Sequence, residues 1–228
     1  MNSGWRVELG LVLLVAAMFV ATLVVWPSAP ARIPVHWDVA GSVDRYGGRF
    51  EGLLGLPLIA LALYLGMRYL PRIDPGRANY ARFGTPYAML RGSVLVMLAG
   101  LHAVILLWVL RWPVDASVAI PVLVGALCMV CGGLLGKIRP NWFVGIRTPW
   151  TLSSKAAWVR THRLGGWLFI ALGALFVLSG AFRVRAFGYV VLVAVVTVCL
   201  VLLVYSYAVW RTDPEKQPPA GTQPADDD

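Results

Sequence analysis

The chain has 228 residues, of which 59% are hydrophobic and only 14% charged, with a mean hydropathy of +0.72. A soluble globular domain carries about a quarter charged residues and about half apolar ones. This composition therefore excludes a soluble enzyme, a disordered protein and a disulfide scaffold, and turns the net charge of +9 into a question of membrane sidedness.

Stretches free of Asp, Glu, Lys and Arg run over residues 9–31, 52–67, 92–110, 116–136, 164–182 and 186–210. A helix needs about 20 apolar residues to cross a bilayer. The second stretch is short, but Tyr69 and Leu70 extend it if Arg68 snorkels. The expected fold is an all-α integral membrane protein with six transmembrane helices, over about 9–26, 52–70, 88–111, 116–136, 164–182 and 187–210. Arg32, Arg45, Arg49, Arg111, Arg183 and Arg185 fall on one side, and the other fourteen of the 20 basic residues on the opposite side. Lys and Arg mark the cytoplasmic side, which predicts N-in/C-in topology. The apolar core Leu9–Trp26 is longer than a signal-peptide core of about 7–15 residues, so the first span reads as an uncleaved anchor.

The outer loop, 27–51, alternates Val and aromatic residues with polar ones on both sides of Ala40-Gly41, which predicts a small hairpin or ordered turn. His36, Trp37, Asp38, Gly41 and Asp44 are its candidate functional residues. Three of them carry metal-donor atoms, but Asx-type hydrogen bonds in a turn account for the pattern better, and no metal or cofactor is expected. In the inner loop 71–87, Asp74-Pro75 marks a turn. Arg77, Tyr80 and Phe83 are spaced like an amphipathic turn at the headgroup level. Thr85-Pro86 reads as the cap and first residue of the third span.

Within the spans, Gly125, Cys128, Gly132 and Gly136 share one side of the fourth helix, and Gly166, Gly173 and Gly180 recur at intervals of seven in the fifth. Missing side chains let helices approach closely, so these stripes predict helix packing rather than a hinge or pore. Cys128-x-x-Cys131 lies in an apolar run with no second pair, which argues against zinc or redox chemistry. His102 lies mid-span and is read as hydrogen-bonded to another helix. No Asp or Glu is expected within any of the six spans, which argues against a proton-relay transporter.

The inner loop 137–163 is the densest polar segment, with six basic residues interleaved with Trp142, Phe143, Trp150 and Trp158. Ser153 is expected to cap a short helix carrying Trp158 and His162 on one face. A positive-inside loop explains the charge and the tryptophans but not the crowd of hydroxyl and turn residues. The candidate functional residues are Arg139, Asn141, Gly145, Arg147, Thr148, Pro149, Trp150, Thr151, Ser153, Trp158, Thr161, His162 and Arg163. The Pro-, Gln- and Asp-rich tail, 211–228, is expected to be disordered, so that truncation after Thr212 would be silent. Nothing in the chain resembles an activated nucleophile or a phosphate loop, and the protein is read as non-enzymatic.

The run from Arg139 to Ser154, continuing to Trp158, Thr161-His162-Arg163 and Gly165-Gly166, resembles the SdpI immunity family. Pro34-Val-His36-Trp-Asp38, Gly41 and Asp44-Arg-Tyr46 resemble the small N-terminal domain of unknown function that accompanies it. Lys155 departs from the acidic residue expected there. The resemblance divides the chain into an N-terminal region, 1–91, and an SdpI-like region, 92–210. It implies a multi-spanning protein of the bacterial inner membrane with a role in immunity to a membrane-active peptide, in associated signalling or in both, with the bilayer, a secreted peptide toxin and a cytoplasmic repressor as partners and no direct contact with nucleic acid. The alternative is a small transporter or lipid-handling protein whose basic-aromatic inner loop holds a headgroup.

Overall fold

The structure, a computed structural model, describes residues 4–38, 41–182 and 185–217. The chain is mostly helical. Helix α1 spans Trp5–Val25, and a hairpin of β1 (Ile33–Trp37) and β2 (Val43–Gly47) leads into α2 (Arg49–Ile73). A 3-10 turn at Arg77–Arg82 precedes α3 (Gly84–Val109), α4 (Ala116–Leu135), the short α5 (Pro149–Ser153), α6 (Lys155–Phe182) and α7 (Arg185–Thr212). Among the described residues, α1, α2, α3, α4, α6 and α7 are the six helices long and apolar enough to cross a membrane. Their outward positions, such as Leu23, Val24, Val96, Val193 and Val204, are well exposed apolar residues, as a lipid-facing surface requires. The hairpin lies at one end of the bundle and α5 at the other; these are the hairpin face and the loop face.

The helices run past the expected span limits, and the reason is physical. Ending a span at the first charge removes the charged turns that a membrane helix carries into the interface. So α2 begins at Arg49, α3 at Gly84 and α6 at Lys155. The last is the largest correction: the final third of the expected loop 137–163 is the first part of a 28-residue helix, not a separate short one. Ser154, rather than Ser153, caps it, its hydroxyl oxygen accepting from Ala157 N at 2.9 Å. Ser153 belongs to α5 and donates to Pro149 O. Phe83, not Thr85, precedes α3, and no side chain caps that helix.

Helix α3 packs between α2 and α4 and also touches α1, while α4 packs on α6 and α6 on α7. The α4–α6 contact is antiparallel and glycine-lined. A Cβ added at Gly125 would lie 2.6 Å from Gly173 O, one at Gly132 2.6 Å from Gly166 O, and one at Gly180 2.9 Å from Val118 O. Steps of seven residues on one helix meet steps of seven back along the other, so the backbones touch at each step. Gly136 is not part of this seam; it sits at the helix C-cap with open space around it.

The α1–α3 contact is polar at two depths. Thr22 and His102 are buried, and His102 Nε2 lies 3.1 Å from Thr22 Oγ1 and 3.2 Å from Leu53 O. The sequence reading of His102 as a helix-to-helix hydrogen bond fits this geometry. At the other end, Arg91 is 2% exposed and makes a two-bonded contact to Glu8, Nη1 to Oε1 at 2.7 Å and Nη2 to Oε2 at 3.1 Å. Arg68 Nε approaches the same carboxylate at 3.3 Å and Tyr64 donates to it at 3.2 Å. A carboxylate therefore does stand within a membrane-spanning helix, contrary to the expectation from charge-free stretches.

Candidate functional site

The loop face is built on Asn141. Its side-chain oxygen accepts from Phe143 N and Val144 N, and its amide donates to Arg139 O and Val144 O, all at 2.6–2.9 Å. Every polar atom of this buried side chain is thus used to fold its own loop. Four residues later Gly145 adopts φ +113°, a conformation that favours glycine, and a Cβ there would strike His162 Nε2.

His162 then ties the loop to α6. Its Nε2 accepts from Ile146 N at 3.0 Å and its Nδ1 lies 2.8 Å from Trp158 O. An acceptor at Nε2 places the proton on Nδ1, so this arrangement holds a neutral ring with both nitrogens engaged. Trp158, one turn earlier, stacks on the ring at 4.1 Å and donates from Nε1 to Ile138 O at 3.0 Å. The i, i+4 pairing expected from the sequence is present, and it anchors the segment 138–146.

Thr148 caps α5, with Pro149 in the first turn, and Thr148 and Thr151 form a reciprocal capping box. Thr151 also donates to Ile146 O at 2.8 Å, and Thr148 to Ser206 on α7 at 3.0 Å. Thr161 is fully buried, and its hydroxyl has no hydrogen-bond partner.

The candidate residues therefore divide. Asn141, Thr148, Thr151, Trp158, Thr161 and His162 are buried framework. Arg139, Arg147, Pro149 and Arg163 face outward with Trp142 and Phe143, while Gly145, Trp150 and Ser153 are half-buried. Arg147 Nη1 donates to Trp142 O at 2.8 Å, which holds one arm of the guanidinium and leaves the rest of its fork exposed. Trp150 leans on Tyr207 of α7 with ring centres 5.2 Å apart.

The loop 71–83 belongs to the same assembly, and its place was missed in the sequence. Tyr80 and Phe83 do not form the exposed face of an amphipathic turn. They are 0% and 1% exposed and pack with Tyr87, Ile138, Val144 and Trp158. Asp74 is 2% exposed, accepts from Gly76 N and Tyr80 OH at 2.6 and 2.8 Å, and accepts from Trp142 N at 3.2 Å. Burial, with this hydrogen bond to Asp74, raises the Tyr80 phenol above its ordinary range, so it stays a donor. The one available signal was an acidic residue, before Pro75-Gly76, in an otherwise basic loop.

The start of the tail also joins this face. Ser154 Oγ donates to Asp213 Oδ2, and Gln217 N donates to Ser153 O at 2.9 Å. The expected disordered tail is corrected to this extent, while residues 218–228 lie outside the described residues.

On the hairpin face, β1 and β2 pair antiparallel, with Ile33 opposite Gly47 and Trp37 opposite Val43. Asp38 Oδ1 accepts from Ser42 N at 2.8 Å, and Gly41 turns at φ +79°, so the predicted hairpin is present with an Asp-held turn. His36 Nδ1 lies 2.6 Å from Asp44 Oδ1 across the strands. No three His, Cys, Asp or Glu side chains among the described residues are grouped to hold a metal.

Residues 137–206 match the sequence profile of the SdpI/YfhL protein family. Residues 13–61 match a domain of unknown function (DUF1648), which covers most of α1, the whole hairpin and the start of α2. The chain is 22% identical over 197 residues to the immunity protein SdpI of Bacillus subtilis (strain 168), covering 86% of this chain and 91% of that protein. No solved structure matches it. The SdpI-family match begins at Lys137 and takes in the tied loop, α5, α6 and most of α7.

Proposed function

We propose that the protein is a non-enzymatic immunity-type protein that protects its cell against a membrane-active peptide, signals the peptide's presence to a cytoplasmic repressor, or does both. The observation that supports this reading is the similarity to an immunity protein over most of both chains. In this reading both termini and the loop face are cytoplasmic, because fourteen of the 20 basic residues lie there. The N-terminal region, 1–91, supplies the outer hairpin, and the SdpI-like region, 92–210, supplies the loop. The exposed patch of Arg139, Trp142, Phe143, Arg147 and Arg163 is then the surface offered to a cytoplasmic partner, with the buried Asn141–His162 framework setting its shape.

Two experiments test this. Cysteine labelling is expected to place residues 40 and 112 outside and residues 77, 150 and 220 inside; an external residue 150 would overturn the orientation. Deletion of the gene is expected to sensitise the cell to membrane-active peptides, and the full chain to restore resistance. Unchanged sensitivity across such peptides, together with an unchanged transcriptional response, would overturn the immunity reading.

A further inference from the structure

The hairpin is fastened at both ends as a strap across the bundle. At its base Ile33 is fully buried against α2, where a Cβ at Gly52 would lie 2.8 Å from it. At its tip Gly41 meets the start of α4, where a Cβ would lie 2.7 Å from Ser117 Cβ. Beneath the strap, over α3, lies a cleft of about 410 Å³. That is within the size range of ligand pockets, about 300–1,000 Å³. Leu56 and Ile59 of α2, Leu101 and Ile105 of α3 and Ile120 of α4 line it with apolar surface. Ile59 is 50% exposed, so the cleft opens sideways on the apolar outer surface of the helices, where lipid lies.

The lip is polar and its charges are matched. Arg45 Nη1 lies 2.6 Å from Glu51 Oε1, and His36 is paired with Asp44. An anionic headgroup needs an unmatched cation, which these pairs do not supply. A zwitterionic headgroup carries a phosphate and an ammonium a few bonds apart, and can lay them against an adjacent guanidinium and carboxylate. The hydrocarbon chain gains no hydrophobic energy by leaving the bilayer for the cleft. It gains packing contacts, and an empty cleft forfeits them.

We propose that this cleft binds one zwitterionic phospholipid of the ethanolamine class from the hairpin-side leaflet, with an acyl chain beneath the strap and the headgroup on the Arg45–Glu51 pair.

The test uses the full-length protein in phosphatidylglycerol nanodiscs. These are doped with a phosphatidylethanolamine or a phosphatidylglycerol probe carrying a photoactivatable acyl chain, and adducts are mapped by mass spectrometry. The ethanolamine probe is expected to label Leu56, Ile59, Leu101 and Ile120 several-fold above Val196 and Val204 of α7, and above the glycerol probe. Gly55 borders the cleft, and a Cβ there meets no atom within 4 Å. Gly55→Phe, with Gly55→Leu as the milder variant, should therefore fill the cleft without disturbing the helix, removing the enrichment and leaving the α7 background. Replacing Arg45 and Glu51 together by Ala should keep the cleft adducts but equalise the two probes. Uniform labelling around the bundle, or enrichment that survives both Gly55 variants, would overturn the site. Equal labelling of the wild-type cleft by the two probes would overturn the headgroup assignment.

Discussion

The two halves of the bundle hold their helices together by opposite means. Between α1 and α3 polar groups fasten the two ends of an apolar contact, the Glu8–Arg91 pair at one end and His102 with Thr22 at the other, with Leu11, Val15, Met18, Leu95 and Leu98 packed between them. Between α4 and α6 it is made by removing side chains, so that Gly125, Gly132, Gly166 and Gly173 bring backbone against backbone. Lipid tails are as apolar as leucine, so a membrane helix gains little by burying leucine. What holds it is either a polar bond that lipid cannot replace or a van der Waals contact closer than lipid can make. This chain uses one device in each half, and the two should fail differently.

The polar half should break hardest. Glu8→Ala leaves the buried Arg91 guanidinium without its carboxylate. Breaking a buried pair from one side costs about 3–5 kcal/mol. The expected outcome is a large fall in thermal stability in detergent, with little protein reaching the membrane. Replacing both partners, Glu8→Gln with Arg91→Met, should recover most of that loss, because no buried charge is then stranded; Arg68, which also loses the carboxylate, is part-exposed. A double variant as unstable as the single one would show that the pair does more than balance itself.

The glycine half should break by crowding. A side chain at Gly132 would run into Gly166 O and the Ile170 backbone, which cannot swing aside as a flexible side chain can. Gly132→Leu should cost about 1–3 kcal/mol, as overpacking does, and part α4 from α6. Gly133→Leu, one residue on, where a Cβ meets nothing within 4 Å, is the control and should be silent. Equal effects at the two positions would remove the seam from the account.

Of these two devices the glycine seam was legible in the sequence, and the polar one only at His102. Glycines at intervals of seven announce a seam, because the spacing itself carries the geometry. Gly136 was wrongly included, since spacing does not reveal where a helix ends. The Glu8–Arg91 pair was invisible, because spans found by the absence of charge exclude any charge they contain. At the loop face, Asn141, Thr148 and His162 were singled out as candidates, and the hairpin was legible from its alternation around Ala40-Gly41. Their burial was not legible. Tyr80 and Phe83 are spaced as an interfacial turn would be, and only the cover supplied by Ile138, Val144 and Trp158 makes them core. Ser154 was missed as a cap because its neighbour Ser153 offers the same hydroxyl one residue earlier.

The framework and the surface of the loop face can be separated in the same way. His162→Ala removes the acceptor of Ile146 N and the ring that stacks on Trp158. Leaving a buried donor unpaired costs about 1–3 kcal/mol. The variant should lose protection together with thermal stability and membrane level. Arg147→Lys should be nearly neutral in stability, within about 0.5 kcal/mol for an exposed position. If the exposed fork reads a partner, protection or signalling falls at normal membrane level, because lysine cannot reproduce two planar bonds. Full activity in Arg147→Lys would restrict the loop's role to framework.

The smallest effect belongs to the junction of α7 with the start of α6. Asp213 follows α7 and accepts from the hydroxyl of Ser154, the residue that caps α6. That hydrogen bond holds the Asp213 carboxyl below its ordinary value. A lowered carboxylate pKa contributes stability above the unfolded value, about 4, and loses it as pH falls through the folded value. The junction is therefore intact at neutral pH and released only in acid. Asp213→Asn keeps an acceptor but removes the charge, so it should slightly lower stability near pH 7 and match wild type once the wild-type carboxyl is protonated. Truncation after Thr212 removes Asp213 and the Gln217 contact to Ser153 together, and should cost more than Asp213→Asn at neutral pH. Truncation after Gln217 keeps both and should be silent. Thermal melts of the three variants at neutral and acid pH decide it: a truncation after Thr212 as stable as wild type at pH 7 would show that the tail touches α6 without holding it.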